Sequence, residues 1–91
     1  RDSFLVTVTD KKDISGQRIA VYVYRYRRSG RNTYYDYTGL AKYIDLNGQA
    51  AFDLSDGDYI FLAYNFTRGR YEWSNKVKVP SKNSVTIRIR K

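Results

Sequence analysis

Ninety-one residues suffice for one domain and not for two, since independent cores rarely form below about 50 residues; with 42% hydrophobic residues, a packed core is expected rather than disorder. The chain has no Cys, His or Met, which removes disulfides, thiolate metal sites, the commonest general base and the best thiol nucleophile, so a noncatalytic role is expected. Seventeen basic residues against nine acidic give a net charge of +8, which suits nucleic acid, an anionic membrane surface or an acidic glycan.

That charge is uneven. Residues 43–67 hold four aspartates and no Lys or Arg, so a net −4 there leaves +12 on the rest of the chain. No apolar run approaches the roughly 20 residues of a membrane span, and no signal peptide is present. Because the chain opens on Arg1 rather than Met, residues 1–91 are read as a single domain cut from a longer protein.

Period two runs through the sequence, the spacing of half-buried strands. Phe4, Val6 and Val8 alternate with Leu5, Thr7 and Thr9, and residues 10–16 read as a turn. Ile19, Val21 and Val23 then alternate with Ala20, Tyr22, Tyr24 and Tyr26, until the basic, Gly-containing stretch 27–32 breaks the pattern. Residues 34–38 form a short strand, with Gly39 marking a bulge or bend.

Residues 41–45 and 49–54 flank Leu46-Asn47-Gly48, an Asn-Gly step that signals a hairpin because both residues tolerate positive φ. A second tight turn at Ser55-Asp56-Gly57 leads into the most hydrophobic strand, residues 58–66. Arg68-Gly69 turns the chain into a strand over 71–79, which Pro80 ends because it cannot donate to a ladder. Residues 84–90 close the domain, with Val85, Ile87 and Ile89 on one side and Thr86, Arg88 and Arg90 on the other, Lys91 extending the basic tail. Turn signals recur about every 8–12 residues, as in a β-sandwich or barrel. The expected fold is all-β, a seven-strand Greek-key sandwich of transthyretin-like or immunoglobulin-like type.

The stretch 43–59 contains an Asp-x-x-Gly turn (Asp45, Gly48), a strand with the aromatic Phe52, and Gly57-x-Tyr59 opening the next strand. Upstream, Gly16 precedes Ile19, Val21 and Val23. This pattern resembles the transthyretin-like (prealbumin-like) sandwiches of the carboxypeptidase regulatory-like domains, over residues 4–89. Ile44 replaces the family's usual Thr, and the stretch 25–42 is longer and richer in tyrosine than the pattern. The resemblance implies that Tyr59, Phe61 and Ala63 point inward, and that their strand neighbours the one carrying Tyr22, Tyr24 and Tyr26. It also implies a spacer, appendage or adhesive module beside other domains.

Those orientations leave two strands apolar or aromatic on both faces. Tyr22, Tyr24, Tyr26, Ile60, Leu62, Tyr64 and Phe66, flanked by Tyr35 and Tyr37, then form an outward platform, and exposed apolar patches mark interfaces. The reading is a secreted or cell-surface module whose aromatic face contacts neighbouring domains or identical subunits in assembly or adhesion. The plainer alternative is an aromatic ladder that stiffens the sheet.

Arg25, Arg27, Arg28 and Arg31 gather at one loop and Arg68 and Arg70 at another, which the resemblance places at opposite ends of the sheet. They read as solvated edge protection, or as phosphate contacts with Tyr stacking on bases in a nucleic-acid-binding domain. A carbohydrate-binding module, with Tyr or Trp73 on sugar rings, is a further alternative. The Asp-rich stretch 53–58 lacks the full EF-hand pattern and reads as a turn, so no cofactor is expected. Asn65-Phe66-Thr67 is a glycosylation sequon.

Overall fold

A computed structural model describes residues 3–90, and Lys91 of the basic tail lies outside them. The described chain is all-β, with eight strands: β1 (Phe4–Asp10), β2 (Ile19–Ser29), β3 (Asn32–Tyr43), β4 (Gln49–Phe52), β5 (Gly57–Asn65), β6 (Arg70–Trp73), β7 (Val77–Val79) and β8 (Ser84–Ile89). Among the described residues, no helix is long and apolar enough to cross a membrane.

Two sheets enclose one core. The smaller has the order β4-β1-β8, with β8 parallel to β1 and β4 antiparallel to it. The larger has the order β3-β2-β5-β6, and β7 pairs with β5 below β6 on the same edge. Period two explains the layering, because alternate residues of a strand face opposite sides. Phe4, Val6, Val8, Ile87 and Ile89 fill the core from one sheet; Ile19, Val21, Val23, Tyr59, Phe61 and Ala63 fill it from the other. Phe61 is wholly buried at the centre, its ring 5.1 Å from Phe4 and 6.4 Å from Phe52 across the gap.

Three expected boundaries move. The stretch 27–32 does not end β2 before the turn; β2 continues to Ser29, which faces Asn32 across the two-residue turn Gly30-Arg31. Gly30 has φ 62° and no described non-Gly residue has positive φ, the signature of a type II′ hairpin turn. The register shift between Tyr22 and Tyr24 absorbs extra residues around Gly39, the expected bulge, so β3 runs on to Tyr43.

Leu46-Asn47-Gly48 does not close a hairpin. β3 pairs with β2 and β4 with β1, so this turn carries the chain from one sheet to the other. Asp45 Oδ1 accepts from the N–H groups of Asn47 (2.8 Å) and Gln49 (3.0 Å), which fixes the turn locally. The Gly48 carbonyl accepts from Val8 N at 2.8 Å, which delivers the following strand to β1. Asp45 therefore holds turn N–H groups, while its flanking strands part company.

The strand expected over 71–79 is two. Between β6 and β7, Ser74 turns its hydroxyl onto Phe61 N (2.9 Å) while its own N–H donates to Phe61 O (2.8 Å). A side chain thus replaces a ladder carbonyl, and the pairing resumes at Val77.

Candidate docking surface

Opposed residues of an antiparallel pair share a face. Tyr22 lies opposite Leu62, Tyr24 opposite both Ile60 and Tyr37, and Tyr26 opposite Tyr35. Leu62 faces Trp73 and Tyr64 faces Tyr71. The outer side of the larger sheet is therefore aromatic across four strands.

The rings touch in two groups, one around Tyr24 and Trp73 and one around Tyr64. Tyr24 lies 5.2 Å from Tyr37 and 5.1 Å from Trp73, Trp73 lies 5.0 Å from Tyr35, and Tyr35 lies 6.0 Å from Tyr26. Tyr64 stacks parallel to Tyr71 at 5.8 Å and meets Phe66 at 4.8 Å. Each such pair contributes about 0.5–1.5 kcal/mol beyond area burial, so the tiling also stiffens the sheet. Lys76 adds its ammonium 5.0 Å from the Tyr26 ring centre.

The sequence-derived platform is assembled on one face, but its members differ in access. Tyr35, Tyr37 and Phe66 are exposed at 44%, 51% and 47%. Tyr22, Tyr24, Tyr26, Leu62 and Tyr64 are half-buried. Ile60 is 5% exposed, because the surrounding rings close over it, and offers a partner almost no surface. Tyr71 and Trp73 belong to the face and were not among the expected members; the Tyr71-x-Trp73 alternation was the available signal. Tyr34 points to the opposite side, its ring 4.3 Å from the Arg27 guanidinium.

Burial, and then the phenols of Tyr43, Tyr37, Tyr24 and Tyr64, raises the Tyr22 pKa above the ordinary 10.0.

The basic residues divide into engaged and free. Arg25 donates to Ser55 Oγ at 2.8 Å and packs 5.0 Å over Tyr59. Arg27 hydrogen-bonds Asp36 at 2.8 Å, and that bond lowers the Asp36 pKa and raises its own. Arg70 reaches Asp10 at 3.4 Å, tying the edge of one sheet to the other. The guanidinium groups of Arg28, Arg31 and Arg68 have no partner among the described residues. Ile19 opposite Asn65 and Arg25 opposite Tyr59 set the two Arg groups at opposite ends of the sheet.

Among the described residues, no three acidic side chains gather to hold a metal ion. The sequon residue Asn65 is completely buried. Its Nδ2 donates to Gln17 Oε1 (2.6 Å), and its Oδ1 accepts from Thr67 N (3.0 Å) and Arg68 N (3.1 Å). The sequence there builds a turn, and the amide that glycosylation requires is enclosed.

No family model matches the chain, and neither a curated protein nor a solved structure matches it.

Proposed function

We propose that the chain is a noncatalytic β-sandwich module, Greek-key and transthyretin-like, of a larger secreted or cell-surface protein. It docks against neighbouring domains or identical subunits through the aromatic face of the larger sheet. The observation that carries this reading is the tiled face itself: fixed tyrosine rings, of which Tyr35, Tyr37 and Tyr71 remain 44–51% exposed. Tyrosine held in place supplies rigid contact area and a hydroxyl at low entropic cost, which favours protein contact. Trp73 packs between Tyr24 and Tyr35, which leaves it poorly presented for stacking on a sugar ring. For the transthyretin-like assignment, support comes from the Asp45–Gly48 turn, the inward Phe52 and Tyr59, and the adjacency of β2 and β5.

The test is Tyr64→Ser with Tyr71→Ser, a pair on β5 and β6 remote from β3. Sedimentation equilibrium of the chain, and assembly of its parent protein, should both report weakened association, with circular dichroism unchanged. A folded double variant that associates as well as the original would overturn the docking role and leave a spacer.

A further inference from the structure

A sheet that ends in an unpaired strand offers backbone N–H and C=O groups to any extended chain. Folded proteins blunt such edges with short strands, charges, proline or bulges. The two sheets have four edges, and three are blunted. β4 has four residues, and Lys42 Nζ donates to its Ala51 carbonyl at 2.6 Å. β8 presents Arg88 to solvent. β6 and β7 have four and three residues and are separated at Ser74. β3 differs: it has twelve residues, eleven of them exposed. Between Asn32 and the Gly39 bulge its single charge, Asp36, is already paired with Arg27.

The register decides which backbone groups are free. Residues that close a two-residue hairpin turn exchange both of their ladder bonds, and bonded and open positions alternate from there. Counting from Ser29 opposite Asn32, the N–H and C=O groups of Thr33, Tyr35 and Tyr37 point away from β2. Arg28 stands opposite Thr33 and Arg31 sits in the turn, both exposed and unpartnered among the described residues.

We propose that the β3 edge takes up an extended, acidic segment of another protein as an added strand. The segment hydrogen-bonds to Thr33, Tyr35 and Tyr37, and Arg28 and Arg31 hold its carboxylates. Charge selects this occupant. A second copy would bring the same unpaired arginines and the same +8, whereas an acidic strand complements both. The site is a strand edge rather than the ring-covered face, so it stands or falls separately from the docking role above.

The test titrates the chain, at low salt, with a short fluorescein-labelled peptide of alternating Glu and Val. Its Lys-for-Glu counterpart and a version N-methylated on every second amide serve as comparisons. The Glu peptide should bind about tenfold or more tighter than the Lys peptide, and N-methylation should remove binding. Amide exchange should slow at Thr33, Tyr35 and Tyr37. Thr33→Pro, which removes an N–H outside the ladder, should weaken binding about tenfold, the size of one or two hydrogen bonds. If that variant fails to fold, the N-methylated peptide still decides.

Equal binding of the Glu and Lys peptides, or slowed exchange away from β3, overturns the proposal. So does slowing at β3 that rises with chain concentration alone, which assigns the edge to a second copy. Single-stranded RNA that binds while the Glu peptide does not overturns it as well.

Discussion

Ser74 Oγ accepts the Phe61 N–H at 2.9 Å, so a hydroxyl stands where a strand carbonyl would close the ladder beside the most buried ring of the core. Ser74→Ala leaves that N–H without an acceptor in a buried site. The change should cost about 1–3 kcal/mol in chemical denaturation. Amide exchange at Phe61 should accelerate with it. An Ala variant of unchanged stability would mean that water or a shifted carbonyl substitutes for the hydroxyl.

Gly48 has φ 76°, and a Cβ there would lie 3.1 Å from the Val8 carbonyl; Gly16 has φ 75° and open space around it. The pair separates backbone strain from crowding. Gly16→Ala should cost about 1–2 kcal/mol from the left-handed conformation alone. Gly48→Ala should cost more, about 2–4 kcal/mol, because the sheet-crossing turn must also shift from β1. Equal losses in thermal unfolding would show that crowding at Gly48 is relieved without cost.

The Asn65 amide organises the turn after β5 through two hydrogen bonds and ties it to Gln17 through a third. Asn65→Ala should destabilise by about 1–3 kcal/mol. Expressed through a glycosylating secretory route, the original chain should show an intact mass with no glycan. An occupied Asn65 would mean that modification precedes closure of the turn.

Tyr22 resists ionisation in the fold, chiefly through burial. Its neutral form is favoured in the folded state, so its contribution to stability is complete below 10.0. It is lost as pH rises from there through the raised folded value. The unfolding midpoint should therefore fall more steeply above that pH in the original chain than in Tyr22→Phe. Parallel slopes in the two proteins would count against the assignment.

Alternation made much of this fold legible. Phe4, Val6 and Val8, or Ile19, Val21 and Val23, declare their buried side because a core lies on one face only. The same rule turned the aromatic residues of β2 and of β5 away from the core, while the expectation that the two strands are neighbours rested on the transthyretin-like resemblance. Where a strand passes beyond the core the signal vanishes, and for that reason the arginines of β2 read as a loop although the ladder continues to Ser29. A turn signature reports reversal and not destination. Leu46-Asn47-Gly48 is a turn by its residues, but which strand each flank joins depends on β1 and β2, distant in sequence. Exposure was also hidden: Ile60 and Leu62 alternate alike, yet the rings around Ile60 leave it 5% exposed.

The first and last strands lie side by side and run the same way, Leu5 beside Ser84 through Asp10 beside Ile89. A load applied between residue 4 and residue 89 therefore pulls on opposite ends of one hydrogen-bonded pair. The strands can separate only by sliding, with every bond between them strained together. Peeling would break those bonds one at a time and at lower force. Held at these two points, the domain would resist stretching along the axis of that strand pair.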